Sequence, residues 1–346
     1  MQLELGVIDH LDRQDRPVHE TYESRLELMK LYDRAGFSTF HLTEHHFTPL
    51  GLAPSPMVFL AAAAAVTQRI RLAPLVLILP LYHPLRLAGE ICMLDQISKG
   101  RLDIGLGRGI SPYELSFFNV NHLESAAIHR EGLEVVKMAL TQPVVNFRGD
   151  YFKFFNVPIE LKPYQQRMPA MWYPTGVPDS AELAGSQGWH TCFLVPDQRA
   201  RVLAERYRRG WERRQAEHPG EPLPKIGVTR FIYVAETDEE ARRVGMEGFR
   251  VWFEKFNYLW ARFDPRPQAP FDAGQQEASG TLIFGSPATV RERIEQSVAA
   301  TGANYFVARF AYGNLSHARS AASLELFTRE VMPHFVPSAN AQEARP

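Results

Sequence analysis

The chain has 346 residues, of which 45% are hydrophobic and 22% are charged, and its formal net charge at pH 7 is -1. This composition excludes general disorder, and the near-neutral charge excludes the strongly basic balance typical of nucleic-acid-binding domains. The length fits one (β/α)8 barrel, which needs about 250 residues before insertions, or two smaller domains.

The two cysteines, Cys92 and Cys192, lie in apolar stretches and form no CxxC pattern. We predict that both are buried thiols of a reducing compartment. The N-terminus lacks the basic and apolar regions of a secretory signal, and no stretch of about 18 apolar residues occurs. We therefore expect a cytoplasmic protein that does not insert into a membrane.

Apolar runs and amphipathic segments alternate along the chain. Strands are predicted at residues 3–8, 37–43, 69–74, 101–106, 170–173, 191–195, 225–235 and 304–310. Helices are predicted between them at residues 21–35, 55–68, 83–97, 123–140, 196–216 and 287–299, with a capping box at 237–240 and a closing helix at 320–331. Eight strand-helix units fit a closed barrel of parallel strands.

Two segments interrupt this alternation. Gly149 and Asp150 lie between β-rich runs and predict a hairpin at about residues 144–155. Residues 263–280 are polar and rich in proline, and they are too long for an ordinary connection, so we interpret them as a lid-like insertion. We predict one domain over residues 1–336, followed by a polar C-terminal tail at 337–346.

The second predicted strand leads into Glu44, His45 and His46, which precede a turn containing Pro49 and Gly51. Barrel enzymes mount their chemistry at the carboxyl ends of parallel strands, and histidine titrates near neutral pH. A polar surface or a buried histidine pair is the alternative interpretation. Adjacent histidines cannot share one helical face, and no Cys/His spacing completes a ligand set, so no metal site is predicted.

Two glycine-bearing turns suit an anion. Gly107-Arg108-Gly109 follows the fourth strand, where backbone amides can approach a phosphate and the guanidinium can bind its oxygens. Ser180 could cap the helix after the fifth strand and form a second anion site facing Arg108. A tight turn with a surface arginine, and helix capping alone, are the alternatives. The dinucleotide-binding pattern GxGxxG is absent.

Four ordered sequence blocks resemble the bacterial luciferase family of flavin-dependent monooxygenases. The blocks are LTEHHFT at residues 42–48, LPLYHP at 79–84, LDQISKGR at 94–101 and GRG at 107–109. The resemblance is densest over residues 37–120 and covers most of the chain. It implies a (β/α)8 barrel that binds reduced FMN at the carboxyl ends of its strands. Through a flavin C4a-peroxide, dioxygen would then oxygenate a small carbonyl-bearing or hydrophobic substrate.

The resemblance also implies roles for individual residues. His45 matches the catalytic histidine, Glu44 the acid before it, and Arg108 the arginine that binds the FMN phosphate. Leu75 and Val76 fall where the family has a non-prolyl cis peptide under the isoalloxazine ring. The residues that complete the phosphate site are Thr175, Gly176, Val177 and Ser180. If the second strand stays extended, only one of the adjacent histidines can face the flavin, and the resemblance selects His45.

Departures from the family narrow the expected chemistry. Gly107 replaces the reactive cysteine of luciferase, so bioluminescence is not expected, and Gly176 and Val177 leave main-chain contacts in the second phosphate loop. Because no nicotinamide motif occurs, a separate flavin reductase is implied. A homodimer is also expected. The alternatives are a deazaflavin-dependent oxidoreductase and a flavin-binding barrel without turnover.

Overall fold

A ring of parallel strands forms the centre of the molecule in the computed structural model, which describes residues 2–336. The strands are β1 (Glu4–Asp9), β2 (Thr39–Leu42), β3 (Arg71–Pro74), β4 (Leu77–Ile78), β5 (Ile104–Gly107), β6 (Val144–Arg148), β7 (Lys153–Pro158), β8 (Met171–Trp172), β9 (Thr191–Phe193), β10 (Ile226–Val234), β11 (Leu282–Gly285) and β12 (Tyr305–Arg309). All but β4 and β11 coincide with strands predicted from the sequence, and β6 and β7 form the predicted hairpin.

The ring runs β1, β2, β3, β5, β8, β9, β10, β12 and back to β1. Ladders join β12 to β1, β1 to β2, β2 to β3, β5 to β8, β9 to β10 and β10 to β12. Single bridges from Leu72 to Leu102 and from Trp172 to His190 make the two remaining joints. The eight strands therefore form a closed (β/α)8 barrel, and the predicted fold class is confirmed.

Helices cover the outside of the ring. They are α1 (Val18–Ala35), α2 (Pro56–Val66), α3 (Pro84–Ile97), α4 (Pro112–Phe117), α5 (Ser125–Thr141), α6 (Pro178–Ser186), α7 (Asp197–Glu217), α8 (Asp238–Phe256), α9 (Tyr258–Phe263), α10 (Ala273–Ala278), α11 (Pro287–Thr301) and α12 (His317–Leu326). The main apolar core lies between helices and strands and includes Leu28, Leu60 and Leu106. Because the ring is covered on this side, its strands are buried on both faces and have nearly continuous apolar sequences.

The inside of the ring is more polar than this outer core. His41 Nε2 lies 3.0 Å from Tyr305 Oη, and Trp172 Nε1 donates to Asp103 at 3.1 Å. A side chain at Gly6 would not fit there, because an added Cβ would lie 1.7 Å from Tyr305 Oη. Side chains therefore fill the interior of the barrel, with no pore along its axis.

The two predicted insertions have different structures. The hairpin is formed by β6 and β7, and the Glu131 carboxylate accepts hydrogen bonds from the backbone amides of Asp150, Tyr151 and Phe152 in its turn. Residues 263–280 contain the short helix α10. Strand β11 follows them and pairs with the C-terminal half of β10. The tail predicted at residues 337–346 lies outside the described residues.

The two cysteines and the cap of α8 agree with the sequence predictions. Cys92 and Cys192 are buried and unpaired, as predicted. Thr237 caps α8 by accepting a hydrogen bond from the Glu240 amide at 3.3 Å. Within residues 2–336, none of the helices combines the length and apolarity needed to cross a bilayer.

Candidate active site

The carboxyl ends of the ring strands bring together the residues singled out in the sequence. His10 follows β1, Glu44 to His46 follow β2, Leu75 and Val76 follow β3, Arg108 follows β5, and Thr175 lies beyond β8. All of these strands are parallel, so their carboxyl ends open at one mouth of the barrel. This is the end at which a barrel of this type carries its active site.

A cis peptide bond joins Leu75 to Val76, at the place that the resemblance implied. Gly107 lies directly against Val76, because a Cβ added at Gly107 would be 2.6 Å from Val76 Cγ2. A cysteine at position 107, as in luciferase, would therefore require Val76 to move.

The adjacent histidines point to different partners. β2 ends at Leu42, and Phe47 has a φ of 58°, so the extended conformation is lost before the Pro49 turn. His45 Nδ1 lies 3.1 Å from Glu114 Oε1, whereas His46 Nε2 lies 2.7 Å from Glu44 Oε1. Strand alternation therefore does not decide which histidine enters the mouth, and the hydrogen-bond partners must be considered instead.

Glu114 is a site residue that the sequence interpretation missed. It belongs to α4, is buried, and its Oε1 also accepts a hydrogen bond from the His46 amide at 3.3 Å. An ionised carboxylate can only accept, so the hydrogen bond selects the neutral tautomer in which His45 Nδ1 carries the proton and Nε2 has the lone pair. The pattern Ser111-Pro-Tyr-Glu114 is a capping box and was the available signal for α4, since Ser111 Oγ accepts from the Glu114 amide at 3.3 Å.

Glu44 is the centre of a separate buried network. Its Oε2 accepts hydrogen bonds from the Ile78 amide and from the Tyr82 hydroxyl, both at 2.9 Å. Burial and the neighbouring Glu44 raise the pKa of Tyr82, which keeps the hydroxyl protonated as a donor. Glu44 thus connects His46 to the segment that follows the cis peptide, and its contacts are those of a positioning residue.

His10 extends the His45 side of the mouth. Its ring stacks on His45 with centroids 5.3 Å apart and 17° between planes, and its edge meets Trp252 at 5.7 Å. Burial, followed by the nearby charges of Arg309 and His45, lowers the pKa of His10 well below its usual value. His10 is therefore neutral at physiological pH.

Arg108 lies on another side of the mouth and is exposed, in a turn where Gly109 has a φ of 82°. It forms no hydrogen bond with any residue in the described part of the chain. His129 from α5 lies close by, and burial, opposed by a hydrogen bond with the Leu106 backbone, lowers its pKa to about 4. His129 Nε2 is buried and has no partner among residues 2–336. Arg108 therefore keeps guanidinium donors and a positive charge available for an anion.

The second predicted anion loop lies beside Arg108, since β5 and β8 are neighbours. Thr175 Oγ1 accepts from the Val177 amide at 3.0 Å, and the Gly176 carbonyl accepts from Arg199 at 2.8 Å. Ser180 does not cap the following helix, so that prediction is wrong. Proline at the first helical position starts α6 at Pro178, which makes Val177 the N-cap residue.

An aromatic cluster borders the mouth near His46. Phe47 packs edge-on against Phe117 at 5.2 Å and lies 5.3 Å from Phe118, and Phe117 in turn contacts Phe263 at 5.6 Å. The beginning of the proposed lid is therefore anchored on the rim. No group of three or more potential metal-ligating side chains occurs in the described part of the chain.

Comparison with known proteins identifies the family. The luciferase-like monooxygenase family profile matches residues 3–305, almost the full barrel. The chain belongs to the luciferase-like monooxygenase family. The family assignment made from the four sequence blocks is thereby confirmed.

Curated relatives of this luciferase-like monooxygenase span nearly its full length. An uncharacterized protein of Sinorhizobium fredii, y4wF, is 34% identical, covering 91% of this chain and 92% of that protein. The oxygenase component of a flavin-dependent trigonelline monooxygenase of Acinetobacter baylyi is 27% identical, covering 91% and 90%.

Solved structures of similar proteins agree on the fold. The monooxygenase RslO1 of Streptomyces bottropensis has a TM-score of 0.84 and 28% identity, covering 96% of this chain and 99% of its own. The oxygenating constituent of 3,6-diketocamphane monooxygenase from Pseudomonas putida, solved with FMN, has a TM-score of 0.80. This second structure is 24% identical to the chain, and the match covers 97% of this chain and 100% of the other. At that identity the similarity shows the fold alone.

Proposed function

We propose that this luciferase-like monooxygenase uses reduced FMN and dioxygen to oxygenate a small organic substrate. The observation that carries the proposal is His45, held at the barrel mouth with Nδ1 against Glu114 and Nε2 free to take a proton. Because a relative is named as an oxygenase component, we further propose that a separate reductase supplies the reduced flavin.

The residues at the mouth offer the positive charge and hydrogen-bond donors that the FMN phosphate needs. Arg108 offers an exposed guanidinium without a partner in the described chain, and the Thr175 loop and the start of α6 add backbone amides beside it. Arg108, Thr175, Gly176, Val177 and Ser180 would hold the phosphate. Leu75 and Val76 would carry the ring, at the cis peptide bond that follows β3.

Acid-base chemistry would come from His45. Bound reduced flavin supplies the electrons with which dioxygen is activated, and the protein must move protons and exclude water. Glu114 fixes the His45 tautomer, so His45 Nε2 can act as general base towards the substrate. Glu44 and His46 would hold the neighbouring backbone in place, because their side chains bond to each other.

Water exclusion would come from the aromatic rim and the proposed lid. Phe263 joins the lid to Phe117, and Phe271 within the lid packs on Phe253 of α8 at 5.4 Å. We expect a variant in which residues 264–280 are replaced by a Gly/Ser linker to remain folded. More of its turnover should end in hydrogen peroxide, because water reaches the site more readily. An unchanged ratio of product to peroxide would count against a lid.

The decisive experiment follows dioxygen and flavin directly, without requiring the natural substrate. Purified protein is mixed anaerobically with photoreduced FMN and then with oxygen, and flavin oxidation is followed by absorbance. We expect bound FMN to react at a rate different from that of free FMN and to depend on His45. Tight flavin binding without any His45 dependence would indicate a non-catalytic barrel. Binding of a reduced deazaflavin, with no effect on the oxidation of reduced FMN, would indicate the deazaflavin alternative.

We also propose that the protein is a cytoplasmic homodimer. Val58 on α2 and Met93 and Ile97 on α3 are at least half exposed although all three are apolar. Exposed apolar side chains on two helices that contact each other are a surface that a second subunit could cover. Sedimentation equilibrium tests it, with a monomer at micromolar concentration as the contrary result.

A further inference from the structure

Arg309 is a buried arginine at the mouth that the proposed reaction does not yet use. It is the last residue of β12 and points into the barrel, since side chains alternate along a strand and Tyr305 and Val307 are part of the interior cluster. Only 1% of its surface is exposed. Its Nε and Nη1 are buried without a hydrogen-bond partner, and it has no ion pair within residues 2–336.

The nearby carboxylates are already engaged by other cations. Asp9 Oδ2 lies 2.7 Å from Arg25 Nε, and Asp12 lies 3.6 Å from Arg25 and 3.2 Å from Lys255. This group therefore contains three cations and two carboxylates. Burial, opposed by Asp9 and Asp12, lowers the pKa of Arg309 to about 10, so it stays charged at neutral pH. An uncompensated charge in such a place is costly, which marks it as a candidate ligand group.

Other donors without partners surround this guanidinium. His10 Nδ1, Trp252 Nε1 and Tyr312 Oη are all buried and make no hydrogen bond within the described chain. The Arg309 guanidinium lies 4.6 Å from the Phe231 ring centroid and 5.3 Å from that of Trp252. Stacked aromatic rings hold the planar guanidinium and leave its N–H edge free for an oxyanion. The cluster thus offers hydrogen-bond donors and one positive charge to an anion.

The position of Arg309 separates it from the proposed phosphate site. Around the ring, β12 is the fourth strand from β5 in either direction, so Arg309 and Arg108 lie on opposite sides of the mouth. His10 lies between Arg309 and His45, the proposed general base, because the ring of His10 stacks on the ring of His45. A group bound at Arg309 would therefore place the rest of a small molecule beside His45, across from the phosphate.

We propose that Arg309 binds a carboxylate of the substrate, with His10 and Trp252 as additional donors, so that the oxygenated substrate is a carboxylic acid. The inference deepens the proposed function and rests on it. A carboxylate matches the guanidinium in two parallel hydrogen bonds and neutralises its charge. A cavity of about 20 Å³ lies between His45, Phe256 and Trp260, and because a carboxylic acid is larger than this, its entry requires the last turn of α8 to move.

The test compares acids with their uncharged amides. Benzoate and octanoate, and then benzamide and octanamide, are titrated by calorimetry into the full-length protein with and without FMN. We expect at least one acid to bind about tenfold or more tightly than its amide, corresponding to about 1.4 kcal/mol. Arg309→Met should abolish this preference, and Arg309→Lys should reduce it, because lysine cannot form the paired hydrogen bonds.

Arg230→Met is the matched control, since Arg230 is equally buried but bonded to Asp197. It should keep the preference for acids. If Arg309→Met does not fold, the preference of Arg309→Lys for acids over amides tests the proposal instead. A wild-type protein that binds acids and amides equally, or a preference that survives in the Arg309 variants, would overturn the proposal. So would an Arg309 variant that loses affinity for reduced FMN and not for acids. Because binding is measured without turnover, failure here is distinct from failure of the monooxygenase proposal.

Discussion

Two buried arginines on neighbouring strands differ in their hydrogen-bond partners. The difference depends on whether the side chain points outward to the helices or inward into the barrel. Arg230 of β10 is directly followed by Phe231, which pairs in register with Arg309 of β12. Arg230 points outward, where it bonds to Asp197, to Ser297 Oγ at 3.3 Å and to the Thr229 carbonyl at 2.7 Å. Arg309 points inward and has no such partner within residues 2–336.

The comparison separates groups that serve folding from groups that are available to a ligand. Outside the ring, Arg230 has protein partners for its buried guanidinium, as is typical of buried polar groups. At the mouth, Arg309, His10 and His129 keep polar atoms free at the expense of stability. We therefore expect substitutions outside the ring to change stability, and substitutions at the mouth to change binding or turnover.

The largest effect should come from His45 in the mouth. In His45→Ala, turnover should fall on the order of 10²–10⁴-fold, the usual contribution of a general base. FMN binding should change little, because His45 is not among the residues proposed to hold the phosphate or the ring, and Glu114 keeps its hydrogen bond from the His46 amide. Steady-state oxygen uptake with identical reductase supply measures it. His46→Ala is the control, and a larger loss of turnover in that variant would reverse the assignment.

The next effect should come from Arg230 in the outer layer. Arg230→Met removes the partner of Asp197 and should lower the free energy of unfolding by about 3 kcal/mol, the lower end for a broken buried pair, since Asp197 is partly solvated. Urea unfolding measures this loss. Arg309→Met provides the contrast, because removing an unpartnered charge should not destabilise the protein. Equal losses in the free energy of unfolding of both variants would show that the outward-pointing and inward-pointing arginines do not differ in their contribution to stability.

A smaller effect on binding should come from Arg108. Arg108→Ala should weaken FMN binding by about 1.5–3 kcal/mol, the range for a hydrogen bond to a charged group. Stability should be unchanged, since Arg108 is exposed and unbonded in the described chain. Fluorescence titration of FMN checks the prediction. Arg199→Ala in the neighbouring loop is a useful control, because Arg199 already bonds to the Gly176 carbonyl. Unchanged FMN affinity in Arg108→Ala would remove this residue from the site.

The smallest expected effect is the loss in the free energy of unfolding for each pH unit by which the solution is made more acidic. Burial lowers the pKa of both His129 and His190 to about 4, below the value in the unfolded chain. Between pH about 6.5 and 4 the unfolded chain binds more protons, so each histidine should reduce stability by about 1.4 kcal/mol per pH unit as pH falls. Unfolding at pH 7, 6 and 5 tests this. His129→Gln should flatten the slope, whereas exposed His19→Gln should not.

Much of the barrel could be predicted from sequence, because buried parallel strands are apolar runs separated by amphipathic helices. Pro74, for example, correctly marked the end of β3. β11 was missed because its short apolar run directly follows the polar segment at 263–280. The closing of the ring depends on isolated contacts such as Leu72 with Leu102, and residue periodicity contains no information about them.

The candidate site was predicted less completely, because its contacts join residues far apart in the chain. Glu44, His45 and Arg108 were found from their positions after strands, and the cis peptide at Leu75 came from the family resemblance. Glu114 lies 69 residues from His45, and no spacing rule relates them. Arg309 had a usable signal, since a charged residue interrupts the apolar run 305–310.

The buried thiols have a consequence for the lifetime of the protein. Burial raises the pKa of Cys92 and of Cys192 to about 11, so about one molecule in ten thousand carries either thiolate at pH 7. Under the proposed chemistry, hydrogen peroxide is a by-product released beside the protein, and thiolates are the form of cysteine that it oxidises. Oxidative ageing should therefore spare both cysteines and begin at methionine. In a subunit outside the proposed dimer, Met93, whose exposed fraction is 56%, is the most exposed sulfur among residues 2–336, and its sulfoxide can be repaired by reductases.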